Sequence, residues 1–163
     1  MKKVVLVAQC VELLALSAWV GGLMIIIAAV IPAVFNTIGM ESGGRMLTRV
    51  FQGYDRIVLF SAGLIVIGTL TRVRAARQLR TQIEHAELIL FGTMLAVAVY
   101  LALVWNPHMM ILQEKALGAQ DTVVKQKAYR DFFLGHQIAR TLYVLNLGLG
   151  IALMCVKVRK WSR

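Results

Sequence analysis

Four long apolar runs, separated by polar and basic segments, dominate the 163-residue chain. They cover about residues 4–35, 57–73, 86–105 and 132–156. Runs of this length with so few charges are typical of transmembrane helices, because ~20 apolar residues cross the hydrocarbon core of a bilayer. The pattern predicts an all-α, integral-membrane four-helix bundle that forms a single membrane domain over residues 1–163.

A shorter amphipathic pattern lies between the first two runs, in residues 36–56. Its apolar side chains would share one helical face, because residues three and four apart are neighbours on a helix. They are Met46, Leu47, Val50, Phe51 and Tyr54. We predict a short amphipathic helix on the outer side of the membrane, which lies in the interface or leads into the second span.

Glycine and proline predict where the helices start and stop. Ser42 and the pair Gly43-Gly44 predict a start and a hinge before the amphipathic segment. Pro32 predicts the end of the first helix or a kink in it, and Asn106-Pro107 predicts the end of the third span. Residues 118–122 predict a turn before the fourth span.

The net charge of +10 is explained by membrane topology. Basic residues lie between the apolar runs, where the positive-inside rule places them, and no aromatic-basic face for nucleic acid accompanies them. The N-terminus, the connector between the second and third runs and the C-terminal tail together hold ten basic residues and few acids. We therefore predict a multi-pass protein of a bacterial inner membrane with both termini in the cytoplasm. Cys10 and Cys155 are predicted to be buried, inert thiols.

Polar residues within the apolar runs are the candidate site. His136, Arg140, Tyr143 and Asn146 share one side of the fourth helix at helical spacing, and such a stripe should face other helices or a wet cavity. Glu12 is the only carboxylate of the first run. It lies ~13 Å into its helix, and Asn146 lies ~16 Å in from the same side, so the two could meet. Glu12 is either a structural group, which snorkels to the interface or is hydrogen-bonded inside the bundle, or a proton- or ion-responsive carboxyl.

A metal site is the alternative reading of the outer side. His108, Met109 and Met110 with His136 offer the soft ligands that suit Cu(I). A haem held by His108 and His136 is a further alternative, although His108 follows Pro107 outside the span. His136 and Arg140 could instead order the outer loop, bind an anionic or lipid headgroup ligand, or form a proton relay with Tyr143.

The order of several short motifs resembles a known family. These motifs are WVGGLM followed by IPAVF, then GGRMLTRVFQGY, NPHMMILQEKA and YRDFF with a later histidine and LN. Together they resemble the small membrane proteins grouped with transmembrane protein 205, which carry domain of unknown function 4149. The family positions matched here are Trp19, Gly22, Pro32, Phe35, Phe51, Tyr54, Pro107, Phe133, His136 and Asn146. Ala139 stands where that family usually has serine.

A more distant resemblance concerns the Trp-Val-Gly-Gly motif of the first run. It is similar to the copper-resistance D proteins and the HemJ-type protoporphyrinogen oxidases, which carry an intramembrane histidine about seven residues before the tryptophan. Glu12 occupies that position here, so the resemblance does not carry over a haem ligand.

These observations predict a non-enzymatic membrane protein with no catalytic residues. We expect an accessory or assembly subunit, or a small-ligand or lipid-binding bundle, with Glu12, Trp19, His136, Arg140, Tyr143 and Asn146 in its polar core. Its expected partners are the lipid bilayer and other membrane subunits or further copies of the chain, and no nucleic acid. No cofactor or metal is predicted. The alternative is a redox or transport protein that uses haem b or copper, with His108, Met109 and His136 as ligands.

Overall fold

The computed structural model describes residues 2–79, 85–118 and 122–161, and these fold into four long helices. The first helix comprises Lys2–Ile25, a π-helical turn at Ile26–Val30, and Ile31–Ile38, and the second is Met40–Leu79. The third helix comprises His85–Tyr100, a π-helical turn at Leu101–Trp105, and Asn106–Gly118, and the fourth is Thr122–Trp161. The described ranges contain no strand. The predicted all-α fold is therefore confirmed.

Consecutive helices are antiparallel neighbours and form a four-sided bundle. The first helix packs along the second, the third packs along the fourth, and the fourth also packs on the first. One end of the bundle holds Lys2, Leu79, His85 and Trp161, and we call it the terminus end. The turns near Gly39 and Gly118 lie at the opposite end.

Each of the four helices is long and apolar enough to cross a membrane. The candidate spans are Lys3–Ile38, Ser42–Ala75, His85–Gly118 and Val123–Arg159. Large apolar side chains such as Leu14, Phe60 and Ile89 point outwards and are more than half exposed. Such a surface suits contact with lipid, since monomeric soluble proteins rarely expose extended apolar patches. The chain is a multi-pass membrane protein, as predicted.

The interior between the two ends is apolar and tightly packed. Trp19 lies at its centre and is 1% exposed. The other fully buried apolar side chains come from all four helices: Leu16, Leu23, Ile65, Met94, Leu101 and Leu153. On the second and fourth helices the buried positions recur at alternating steps of three and four, which is the spacing of a bundle seam. Cys10 and Cys155 lie outside this interior and are exposed, so the prediction that they are buried was wrong.

The two prolines do not end their helices, which corrects the prediction for Asn106-Pro107. A π-helical turn precedes each proline, and its closing N–H reaches back five residues, from Ile31 to Ile26 and from Asn106 to Leu101. Proline lacks an N–H and its ring crowds the preceding turn. Each proline falls in the first turn of the α-helix that follows, where a missing N–H is tolerated, so the helix continues to the far end.

The predicted amphipathic helix is the beginning of the second helix. Residues 45–54 continue into the second span without a break, so they lead into it instead of forming a separate element. The hinge is also one turn earlier than predicted. Gly39, with φ of +76°, is the one residue between the first two helices, and only glycine adopts that conformation without strain. Gly43 lets the two helices approach closely, since a Cβ there would lie 3.1 Å from Phe35 Cδ1.

The third and fourth helices are also longer than the apolar runs. The third extends to Gly118 and the fourth begins at Thr122, ten residues before the predicted start at 132. The segment from Thr122 to Asp131 contains no glycine or proline, so nothing interrupts the helix beyond the apolar run. The turn predicted over 118–122 falls mainly outside the described residues.

Gly39→Ala should destabilise the bundle by about 1 kcal/mol or more, because alanine is strained at positive φ. The measurement is the thermal unfolding midpoint in detergent. Gly53→Ala is the control, because Gly53 is helical with nothing within 4 Å of an added Cβ. A midpoint for Gly39→Ala at or above that of Gly53→Ala would contradict the assigned turn.

Candidate functional site

Four charged side chains, one from each helix, meet just inside the terminus end. Glu12, Arg72, Glu87 and Lys157 come from the first to the fourth helix in order, and we call them the charge quartet. They are 0%, 7%, 2% and 6% exposed. Charged residues are almost never buried to this extent unless they are paired.

The charge quartet forms a ring in which each acid contacts both cations. Arg72 Nε donates to Glu12 Oε1 at 2.8 Å, and its Nη2 donates to Glu87 Oε1. Lys157 Nζ donates to Glu87 Oε1 at 2.7 Å and to Glu12 Oε2. Thr69 Oγ1 lies 3.4 Å from Glu12 Oε1 and adds a donor from the second helix.

The ring is electrically balanced, with two carboxylates against two cations. Balance matters here, because an isolated charge moved from water into a protein interior costs several kcal/mol even after relaxation. Removing one member of a buried pair typically costs about 3–5 kcal/mol, since the other charge is left uncompensated. The four helices therefore depend on one another for the solvation of these charges.

Glycine provides the space for Glu12. A Cβ on Gly68 would lie 2.5 Å from Glu12 Cγ and 2.8 Å from its Oε1. Gly68 is one turn before Arg72 on the same helix. The second helix thus supplies both the gap that Glu12 fills and the cation that it binds.

A second polar group lies towards the opposite end. Asn106 Nδ2 donates to Asp55 Oδ2 at 2.7 Å and to the Tyr143 hydroxyl at 2.8 Å, and we call these three residues the outer triad. Asn106 follows the π-helical turn, so that turn sets the position of its amide. The Tyr54 hydroxyl donates to the Trp19 carbonyl at 3.0 Å and connects the second helix to the first.

The structure separates Glu12 from Asn146, which sequence reasoning had brought together. Both are buried, as are Trp19 and Tyr143. Glu12 instead lies beside Lys157, and Asn146 is eleven residues earlier on that helix, ~16 Å along its axis. Among the described residues, Asn146 Oδ1 is a buried atom without a hydrogen-bond partner.

The predicted inward stripe of the fourth helix needs a correction at its outer half. His136 and Arg140 are exposed, and the buried positions are Gly135, Ala139, Tyr143 and Asn146. The residue before each of them, Gly135 and Ala139, lies on the buried face, and His136 and Arg140 themselves lie beside it. The His136 ring lies 6.3 Å from that of Phe132. Any ligand role for these two residues stays a prediction.

The candidate copper ligands are only partly brought together. Met109 packs on the fourth helix, since a Cβ on Gly135 would lie 2.5 Å from its sulfur, and Gly135 precedes His136. The His108 ring instead lies 6.2 Å from that of Trp105, and Met110 Sδ accepts from Gln52 at 2.9 Å. Within the described ranges, no three side chains among His, Cys, Asp and Glu are grouped so that they could share a metal ion.

Sequence reasoning missed three of the four quartet members. Arg72 and Lys157 were counted only among the ten basic residues that predict the topology, and Glu87 was not considered. A usable signal existed, because the charge nearest the middle of each span on its terminus-end side alternates in sign along the chain: minus, plus, minus, plus. Antiparallel spans bring such positions to one level.

Comparison with known proteins adds a family. Residues 14–117 match the family described as domain of unknown function DUF4149, which is more than half of the chain. The chain belongs to the DUF4149 family. The match begins after Glu12 and ends before the fourth helix, so two quartet members lie outside it. Neither the curated proteins nor the solved structures contain a match to this DUF4149 chain.

Gly68→Ala should lower the unfolding midpoint by an amount that corresponds to about 1–3 kcal/mol, because the added methyl group overlaps Glu12 and displaces it from its cations. The control is Gly63→Ala on the same helix, where nothing lies within 4 Å. Equal midpoints for the two variants would show that Glu12 does not occupy the space beside Gly68.

Tyr143→Phe should cost about 1 kcal/mol, because Asn106 loses one of its two hydrogen-bond acceptors. Thermal unfolding in detergent measures the effect. Tyr100→Phe is the matched control, since Tyr100 is 43% exposed and keeps its ring contact with Trp105 as phenylalanine. If both variants unfold alike, the outer triad does not contribute to stability.

Proposed function

We propose that this protein is a non-enzymatic accessory or assembly subunit of the bacterial inner membrane, and that both its termini lie in the cytoplasm. The observation that carries the proposal is the charge quartet, in which every charge is used to hold the four helices together. A catalytic group must be available to its substrate, whereas these four side chains already bind one another. Their arrangement supports a rigid helical surface more than a reaction site.

The outer surface supports the same proposal. Gly92 on the third helix and Gly148 on the fourth are exposed, and nothing lies within 4 Å of a Cβ built on either. Small residues let the backbone of a neighbouring membrane helix approach closely. Another membrane subunit could therefore pack against these two helices while the bundle itself stays unchanged.

Cross-linking in native membranes followed by native mass spectrometry tests this proposal. We expect a complex with at least one further membrane protein, and we expect Gly92→Leu with Gly148→Leu to abolish it without lowering the unfolding midpoint. Gly63→Leu, at an equally open position on the second helix, is the matched control. A chain that stays alone in native membranes would contradict the proposal.

The orientation needs its own measurement. Arg74 and Arg159 are exposed at the terminus end, two residues beyond the buried cations, which supports a cytoplasmic location by the positive-inside rule. At the C-terminus, a fused reporter that works only in the cytoplasm should be active, and one that works only in the periplasm should be inactive. Activity of a periplasm-specific reporter at the same site would reverse the orientation.

A copper-associated protein is the second candidate, and the packing of Met109 against Gly135, the residue before His136, is the observation that favours it. Haem is less well supported. Glu12 stands where the distant resemblance would require a histidine, and it is bound by Arg72 and Lys157, so this position does not fit a haem ligand. Metal analysis and a visible spectrum of the purified protein decide the question. Stoichiometric copper that is lost in His136→Ala and in Met109→Leu would replace the accessory role.

A further inference from the structure

We propose that the chain is a tandem repeat of one helical hairpin, and that each copy is the packing partner of the other. The first copy comprises the first and second helices, and the second copy comprises the third and fourth. The inference is independent of the proposed function. It rests on helix defects, burial and charge that recur at fixed spacing.

The first and third helices share an irregular feature that a generic bundle does not require. Pro32 follows Glu12 by 20 positions, and Pro107 follows Glu87 by 20 positions. The π-helical turns occupy the same places in this frame, since Ile26–Val30 and Leu101–Trp105 both end two residues before the proline. Such turns are rare, so two at equivalent positions point to a common origin.

The buried faces of these two helices follow the same frame. Residues of the first helix correspond to the residues 75 positions later on the third helix. Glu12 corresponds in this way to Glu87, and the pairs that follow have the same separation. The buried pairs are Leu16 with Phe91, Trp19 with Met94, Leu23 with Ala98, and Ile26 with Leu101. The exposed positions also correspond, for example Ser17 with Gly92 and Ala18 with Thr93.

The second and fourth helices correspond with a shift of 85 positions. This shift converts Arg72 into Lys157, and it pairs the two buried polar residues of the middle, Ser61 and Asn146, which are both 3% exposed. Six positions are identical in this frame: Arg45 and Arg130, Gln52 and Gln137, Gly63 and Gly148, Leu64 and Leu149, Val73 and Val158, and Arg74 and Arg159. Identities occur on the exposed side as well, where packing does not select them.

The charge quartet has the symmetry that this repeat requires. Arg72 binds Glu12 of its own copy and Glu87 of the other copy. Lys157 likewise binds Glu87 of its own copy and Glu12 of the other. A two-fold rotation about the bundle axis exchanges Glu12 with Glu87 and Arg72 with Lys157, so the charge quartet lies on that axis.

The ten-position difference between the two shifts also has a place in the fold. Gly39 alone joins the helices of the first copy. In the second copy both helices extend further at this end, the third to Gly118 and the fourth from Thr122. The extra length is thus confined to the end opposite the quartet. The two copies point the same way, as in membrane proteins whose parallel repeats are related by an axis along the membrane normal.

The inner surface of each hairpin therefore fits a second hairpin of the same kind. Exchange of the two cations, Arg72 and Lys157, tests the two-fold symmetry of this interface. Arg72→Lys and Lys157→Arg should each lower the unfolding midpoint, because arginine donates from a planar fork and lysine from a point charge. The double variant R72K/K157R recreates the same quartet turned by 180°. We expect it to recover most of the loss.

The control for this exchange is R49K/K157R, which has the same composition but moves an exposed arginine that lies near the opposite end. It should stay as unstable as K157R alone. Additive losses in R72K/K157R, or an equal recovery in the control, would overturn the repeat. Either result would leave the accessory role untouched, because that role depends on complex formation in the membrane.

Exchange of whole segments decides the case if the single variants do not change the midpoint. Residues 12–32 and 87–107 have equal length and are exchanged in one full-length chain. The control exchanges residues 12–34 with 85–107, which displaces the acid and the proline by two positions. We expect the in-register chain to remain monodisperse in size-exclusion chromatography and the displaced chain to aggregate. Aggregation of both exchanged chains would show that the two copies are not equivalent.

Discussion

The neutralisation of four buried charges is the constraint on which the rest of this structure depends. Two carboxylates and two cations lie among apolar helices at the terminus end, and each charge would be costly there alone. Since each helix supplies one of them, no helix can leave or turn without exposing the charges of its neighbours to an apolar environment. Buried ion pairs of this kind add less to stability than their number suggests, but they determine which faces of the helices pack against one another. The order and rotation of the helices follow from that requirement.

The outer triad gives the bundle a second polar level. Tyr143 and Lys157 are fourteen residues apart on the fourth helix, which is ~21 Å along its axis. The interval between the two levels is filled by apolar side chains around Trp19. It is somewhat shorter than the ~30 Å hydrocarbon core of a bilayer. Both polar levels thus fit within the length of one span, and between them Ser61 and Asn146 are the buried polar side chains among the described residues.

Prediction succeeded where a property belongs to one segment and failed where it depends on a neighbour. The apolar runs predicted four membrane helices, and the Met46–Tyr54 pattern predicted a helical segment that lies in the interface or leads into the second span, of which the structure shows the second. Pro107 was expected to end the third span, and Pro32 to end or kink the first helix. A π-helical turn before each proline instead absorbs the defect, and the following helix packs on its neighbour. Tyr143 and Asn146 were expected in the core and lie there, whereas His136 and Arg140 fall just off the buried face. A difference of one position, about 100° on a helix, moves a side chain from the interior to the surface.

The sequence by itself determined the membrane class, the number of helices and the presence of Glu12 and Asn146 within them, because hydrophobicity and helical spacing are local properties. Only the tertiary structure decided the partners of Glu12. Arg72, Glu87 and Lys157 are separated from it by 60, 75 and 145 positions, and each reads alone as an ordinary charge at the border of a span. Their meeting requires three antiparallel turns and the gap left by Gly68. Electrostatic pairing depends on distance in space, and distance along the chain does not reveal it.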